Sequence, residues 1–412
     1  MKKIAFILLC GCFGVLPGAA QELSFEVLPH ADGVFYAPER PAVELLLTNS
    51  AAQQGTTCVR LTVETDDHRP LCAFSQQATV PAGAQLPLRF EFQAPAPGFY
   101  RCTLAAADSV ARFNIGFEPE AIVSLGDAQP DLKEFWEEAR AELDAVDPCY
   151  EMTLLPEKSS KVREIYLVRM KSLGGETISG YYARPVKRGK YPVIVGYMGY
   201  GSKPWCPDPN NPDFAEFVLS VRGQGLNEPE NTYGDWITWG LDDKMHYYYR
   251  GAFMDLVRAI DFVCSREEVR QDAIFAEGGS QGGAFTLAAC ALDHRIRAAA
   301  PYIPFLSDYP DYFRIVHWPA EPVLRRQKEL GIPDEELYRT LSYFDIKNLA
   351  PWIECPIMMG VGLQDEVCPP HTNFSGYNRI STEKCYRVFP RCGHDVGPEW
   401  WPARTEFFKK YL

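Results

Sequence analysis

The chain has 412 residues, a formal charge of −13, and is 46% hydrophobic and 23% charged. At roughly 100–200 residues per domain this length holds two domains, with enough core to fold without metal or disulfide staples. The composition excludes a disordered or collagen-like chain. The acidic balance argues against nucleic acid or a strongly anionic polymer as partner, and a neutral substrate fits better.

Residues 1–20 read as a signal peptide. Lys2 and Lys3 precede a short apolar run from Ile4, and Gly18-Ala19-Ala20 offers a small-residue cleavage site before Gln21. The run is too short for a membrane span and is broken by Pro17. The expected location is secreted or periplasmic, with lipoprotein anchoring through Leu9-Cys10-Gly11-Cys12 as the weaker alternative. No later stretch is apolar enough for stable membrane insertion. Thirteen cysteines are present. Setting aside Cys10 and Cys12 leaves an odd number, so at least one thiol is unpaired within the chain.

Residues 21–120 read as an all-β domain. Leu88, Phe90 and Phe92 alternate with polar residues, as do Phe113, Ile115 and Phe117, the period of a half-buried strand. Val43 to Leu47 and Val59 to Val63 are further strands, separated by turn residues. A small immunoglobulin-like sandwich is the natural arrangement.

Residues 121–412 change pattern. Leu132, Phe135, Trp136, Ala139 and Leu143 predict an amphipathic helix over 130–146, with Asp131 near its start. Ile165 to Arg169 and Thr177 to Arg184 predict a hairpin around Gly174-Gly175. Strands are then expected over 191–197, within 214–221, and over 273–277, 356–361 and 386–389, with a helix over 250–265. Such alternation implies a largely parallel sheet covered by helices. The Pro-, Tyr- and Phe-rich stretch 302–348 interrupts it, and lies either over the active site or at the periphery.

Gly278-Gly279-Ser280-Gln281-Gly282 lies between a strand and a strong helix former. In that context Gly-x-Ser-x-Gly makes the sharp turn that lifts a serine hydroxyl above a sheet. A nucleophilic serine needs a base, and the base an orienting acid, in the chain order Ser, Asp or Glu, His. Asp365 ends the strand after the 302–348 stretch, beside Glu366. His394 follows the last strand and precedes a C-terminal helix; His371 is the runner-up, close in sequence to the acid. Backbone N–H groups of Gln281 and of Tyr200, in Met198-Gly199-Tyr200-Gly201 after an early strand, are the candidate oxyanion donors. No metal-ligand spacing is present, and no metal or cofactor is expected.

These residues, with Arg222-Gly223-Gln224-Gly225, Tyr247-Tyr248-Tyr249-Arg250-Gly251, Leu341-Ser342-Tyr343-Phe344-Asp345 and Gly393-His394, resemble the acetyl xylan esterase / cephalosporin C deacetylase family over about residues 125–412. The resemblance implies an α/β-hydrolase fold, a catalytic triad of Ser280, Asp365 and His394, an oxyanion hole of Tyr200 and Gln281, and an acetylated oligosaccharide or polysaccharide as substrate. The family often has His-Gly-Tyr where this chain has Met198-Gly199-Tyr200. The leading β domain is not part of the usual single-domain pattern. It could present polysaccharide, mediate oligomer contacts or shape the cleft; with this extra domain the family's ring-shaped assembly is not assumed, and a homo-oligomer stays open. Cys368 and Cys392 stand in the loops of Asp365 and His394, so a disulfide between them is an expectation to test. Two rivals remain: a serine hydrolase of other acyl or peptide specificity, and a non-catalytic glycan-binding protein.

Overall fold

The computed structural model describes residues 23–28 and 30–412; the expected signal peptide lies outside the described residues. Eight strands come first: β1 (Leu23–Leu28), β2 (Val34–Phe35), β3 (Ala42–Asn49), β4 (Gly55–Thr65), β5 (Pro70–Val80), β6 (Gln85–Glu91), β7 (Gly98–Ala106) and β8 (Ser109–Phe117). They form two sheets, ordered β1-β3-β6 and β2-β8-β7-β4-β5. Alternation in the sequence decides which side chains turn inward. Leu45 and Leu47 of β3, Val59, Leu61 and Val63 of β4, and Cys102 and Leu104 of β7 meet in one apolar core between the sheets.

The rest is a mixed sheet flanked by helices. Its strands are β9 (Glu151–Leu154), β10 (Arg163–Lys171), β11 (Thr177–Pro185), β12 (Tyr191–Tyr197), β13 (Ala215–Ser220), β14 (Val269–Gly279), β15 (Ala298–Tyr302), β16 (Ile357–Gly362) and β17 (Lys384–Phe389). They run in the order β17-β16-β15-β14-β12-β13-β11-β10-β9. β12 to β17 pair in parallel, while β9, β10 and β11 add an antiparallel edge through the predicted hairpin. The helices are α1 (Leu132–Asp144), α2 (Tyr248–Cys264), α3 (Gln281–Leu292), α4 (Tyr309–Ile315), α5 (Ala320–Leu330), α6 (Asp334–Ser342), α7 (Ile346–Leu349), α8 (Pro370–Tyr377) and α9 (Trp400–Lys409).

Two local details depart from expectation. Asp131 occupies the N-cap of α1 without capping it by side chain; its carboxylate goes to Lys244 and to the Tyr343 hydroxyl instead. β15 has the sequence Ala298-Ala299-Ala300-Pro301-Tyr302 and was not predicted. Alanine favours helices, and only burial between β14 and β16 makes this segment a strand. Among the described residues no helix is long and apolar enough to cross a membrane.

Candidate active site

β14 runs into α3 through Ser280, whose backbone sits at φ 59°, ψ −124°. Non-glycine residues seldom occupy this region, and the strain is characteristic of functional sites. The turn is held by its own hydrogen bonds: Ser280 N donates to Tyr302 O at 3.1 Å, and Gly283 N to Ser280 O at 2.9 Å. A Cβ at Gly282 would collide with the Tyr197 carbonyl oxygen at the end of β12. That close approach is why the motif demands glycine there.

The oxyanion loop follows β12. Gly199 faces the nucleophile turn: a Cβ added there would come into ordinary contact with Gly279 O and Ser280 Cβ. The backbone N–H groups of Tyr200 and Gln281 donate to no protein acceptor among the described residues. Gln281 opens α3, where the first N–H groups have no intrahelical partner. The Gln281 side chain is fully buried and pairs reciprocally with Gln224, at 3.3 and 3.1 Å. Gln224 Oε1 also accepts from Gly201 N at 3.1 Å, so one amide ties the nucleophile turn to the oxyanion loop. Tyr248 and Tyr249 complete the network through Gln224 and Gln281. Behind it, Arg222 makes a buried two-pronged pair with Asp255, at 3.0 and 2.7 Å, and packs on Gly251. No roles were assigned to these residues from the sequence; the motifs Arg222-Gly223-Gln224-Gly225 and Tyr247 to Gly251 were the signal.

Asp365 follows β16 and is 1% exposed. Its Oδ1 accepts from the backbone N–H groups of Val367 and Cys368, at 2.8 and 2.9 Å. Its Oδ2 faces His394 Nδ1 at 2.8 Å. Both carboxylate oxygens are thus committed, and His394 Nε2 is left for the substrate side. Glu366, its neighbour in sequence, is exposed. Ser280 Oγ makes no hydrogen bond to His394; it lies 4.0 Å from Cys368 Sγ. Cys368, Asp365 and His394 in turn bring their polar atoms within 4.8 Å of one another. Serine, acid and histidine therefore converge on one spot, with Cys368 among them.

Three expectations are settled here. Cys368 and Cys392 are both free thiols, so the disulfide is not formed. Cys368 is instead directed at Ser280 and the Tyr312 hydroxyl, where burial and the Asp365 carboxylate push its pKa up and keep it a thiol. His371 is not a base for Ser280. Its Nδ1 lies 2.6 Å from Asp66 and its Nε2 3.5 Å from Asp311. The 302–348 stretch lies at the site rather than at the periphery. Tyr312 of α4 bonds Val367 O at 2.6 Å, and Trp318 stacks on Phe305 with ring centres 5.5 Å apart. Phe305 N in turn donates to Ser280 O. Trp318 and Trp236 meet the Tyr200 ring edge-on at 5.3 and 5.0 Å. The Tyr200 hydroxyl donates to Asp235 at 2.5 Å; burial, and then this bond, push its pKa well up.

The profile of the acetyl xylan esterase (AXE1) family matches residues 124–412. The chain belongs to that family. It is a carboxylic-ester hydrolase, which sets aside the glycan-binding alternative. The esterase is 28% identical over 328 residues to the acetyl esterase Axe7A of Xylanibacter ruminicola, covering 76% of this chain and 73% of the relative. Among solved structures it resembles an acetyl xylan esterase from Paenibacillus sp. R4, with 33% identity and a TM-score of 0.67 over 72% of this chain and 99% of that one. Acetyl xylan esterase 1 from Thermoanaerobacterium sp. JW/SL YS485 gives 28% identity and 0.65, over 72% and 98%. The strands β1 to β8 precede the residues the family profile matches.

Proposed function

We propose that the esterase removes acetyl groups from acetylated xylan, xylo-oligosaccharides or related sugars through an acyl-Ser280 intermediate. One observation carries this: the 2.8 Å pair of His394 Nδ1 and Asp365 Oδ2 beside a serine held at φ 59°. His394 Nε2 takes the Ser280 proton as Oγ attacks the ester carbonyl. The oxyanion that forms is held by the N–H groups of Tyr200 and Gln281. His394 then gives its proton to the departing sugar oxygen, leaving acetyl-Ser280. Water attacks this ester, its proton goes to His394, and acetate leaves as Ser280 regains its hydrogen. Asp365 fixes the imidazole tautomer and stabilises its charged form.

Substrate class is supported by the walls. Cys368, backed by the Tyr312 hydroxyl, stands 4.0 Å from the nucleophile, which favours a short acyl group. Trp318, 37% exposed, offers an indole face of the kind on which the apolar side of a sugar ring packs. Export through residues 1–20 and an immunoglobulin-like domain over 21–120 belong to the same proposal, since a polymeric xylan lies outside the cell.

Hydrolysis of 4-nitrophenyl acetate, butyrate and octanoate, with acetylated xylan beside them, tests the proposal. Acetate-selective turnover that also releases acetate from xylan, and that Ser280→Ala abolishes, is expected. Octanoate preference or inert xylan overturns the substrate; full activity of Ser280→Ala overturns the mechanism.

A further inference from the structure

β16, the strand that leads to Asp365, has one face turned to the N-terminal sheets. Met359 and Val361 along it, and Leu363 just past its end, are each at most 1% exposed and meet Phe99 of β7 and Ile122 in one apolar cluster with Phe374 and Tyr377 of α8. Leu363 presses so closely on Gly33, in the turn before β2, that a Cβ there would collide with it. The next residue, Gln364, carries the polar half of the contact. Its Oε1 accepts from Asn114 N of β8 at 2.6 Å, and its Nε2 donates to Asn114 O at 3.2 Å. The same Nε2 donates to Pro390 O at 2.8 Å, in the loop that leads to His394. The Gln364 backbone N–H donates to Cys392 O at 2.9 Å, two residues before that histidine. Asn114 Nδ2 adds a bond to Leu363 O at 3.1 Å. Six residues past Asp365 the loop is fastened again, where His371 meets Asp66 between β4 and β5.

We propose that the N-terminal sheets clamp the acid loop, and that Gln364 is the positioning residue that locks the Asp365 loop, the His394 loop and β8 together. The acid loop is held at both ends by residues that precede the family-matched region, Asn114 and Asp66. Between these two fastenings stands the one carboxylate that orients the base. A small displacement of such a group costs turnover far more than binding, because the histidine must meet both the serine and the leaving oxygen. The N-terminal segment thereby acts in the chemistry without touching substrate. The inference rests on the triad of the proposed function.

The test uses the full chain with the substitutions Gln364→Met, Asn114→Ala and Asp365→Asn. Gln364→Met keeps the length of the side chain and removes its three hydrogen bonds. It is expected to lower kcat on 4-nitrophenyl acetate roughly 10-fold or more, with KM within about twofold. Labelling of Ser280 by a fluorophosphonate should slow by a similar factor, since that rate reports activation of the serine. Asn114→Ala removes the Leu363 bond alone and should lower kcat by about threefold, and it decides the matter if Gln364→Met fails to fold. A merely structural role would lower the melting temperature while leaving kcat and labelling of the folded enzyme unchanged, and that result overturns the clamp. If Asp365→Asn keeps full turnover, the triad itself fails. If Asp365→Asn is inactive while both other variants match wild type, only the clamp fails.

Discussion

Ser280 and the oxyanion loop are held wholly from within the family-matched region, by a buried amide pair and a buried ion pair, whereas the Asp365 loop, and through Gln364 the His394 loop, is fastened in addition from outside it, by β8 and the turn between β4 and β5. The first side is fixed by its own backbone turn and close packing. A strained turn and glycine contacts leave Ser280 few alternatives, and Gln224 needs only to bridge two neighbouring loops. The second side consists of two loops after parallel strands, and loops of this kind keep their geometry only if something packs on them. In this chain the N-terminal sheets supply that packing. Nucleophile geometry therefore travels with the motif, while acid geometry depends on its surroundings.

The largest effect should come from the acid side. Asp365→Asn keeps the shape of the side chain but presents the wrong partner to His394 Nδ1, and kcat should fall roughly 10⁴-fold with the fold intact. On the nucleophile side, Gln224→Leu cuts the bridge to Gly201 and Gln281, loosening both oxyanion donors. Its kcat should fall by about 10²-fold, the loss seen when a single oxyanion donor is removed. Steady-state kinetics on 4-nitrophenyl acetate compares the two directly. A Gln224→Leu enzyme with wild-type kcat would show that the oxyanion loop does not need the amide network.

Arg222 sharpens the contrast in stability. Arg222→Leu leaves the fully buried Asp255 carboxylate without its guanidinium partner. Breaking such a pair costs about 3–5 kcal/mol, read as a drop in the denaturant midpoint. Replacing both partners with apolar residues should recover most of the loss, because no orphan charge remains. If the single and double variants are equally unstable, packing of Arg222 on Gly251 and not charge is what matters.

The same asymmetry governs what the sequence could reveal. Ser280 was legible because its turn needs small residues at fixed spacing, and that need is written locally. Asp365 and His394 were legible through their order and their place after strands. Gln224 stood in a recognisable motif, but its partners Gly201 and Gln281 are remote in sequence, and nothing local announces a hydrogen bond across that gap. Gln364 and Asn114 lie 250 residues apart and leave no pattern. β15 was hidden because three alanines carry no strand signal until burial decides. The Cys368–Cys392 pairing failed for a related reason: two loops can converge on a triad while one thiol turns toward the serine.

His371 gives the smallest effect and the subtlest check on the acid side. Burial pulls its imidazole toward neutrality, but the Asp311 and Asp66 carboxylates outweigh it and raise the pKa from 6.5 to about 10. Asp308 also lies close, and Arg314 pairs with Asp311. A folded pKa above the unfolded one means that the charged form is stabilised by folding. That stability is fully present below about pH 6.5 and is lost as pH rises through about 10. His371→Gln removes the titration while keeping a polar donor near Asp66. Between pH 7 and pH 10 the melting temperature of wild type should therefore fall more steeply than that of His371→Gln, by about 1 °C for each ~1 kcal/mol lost in a chain of this length. At pH 6.5 the variant should be the less stable of the two. Parallel profiles would mean that the imidazole is held by shape alone. The fastening between β4 and α8 would then owe nothing to charge, and the grip on the acid loop would rest on Gln364 and the apolar cluster.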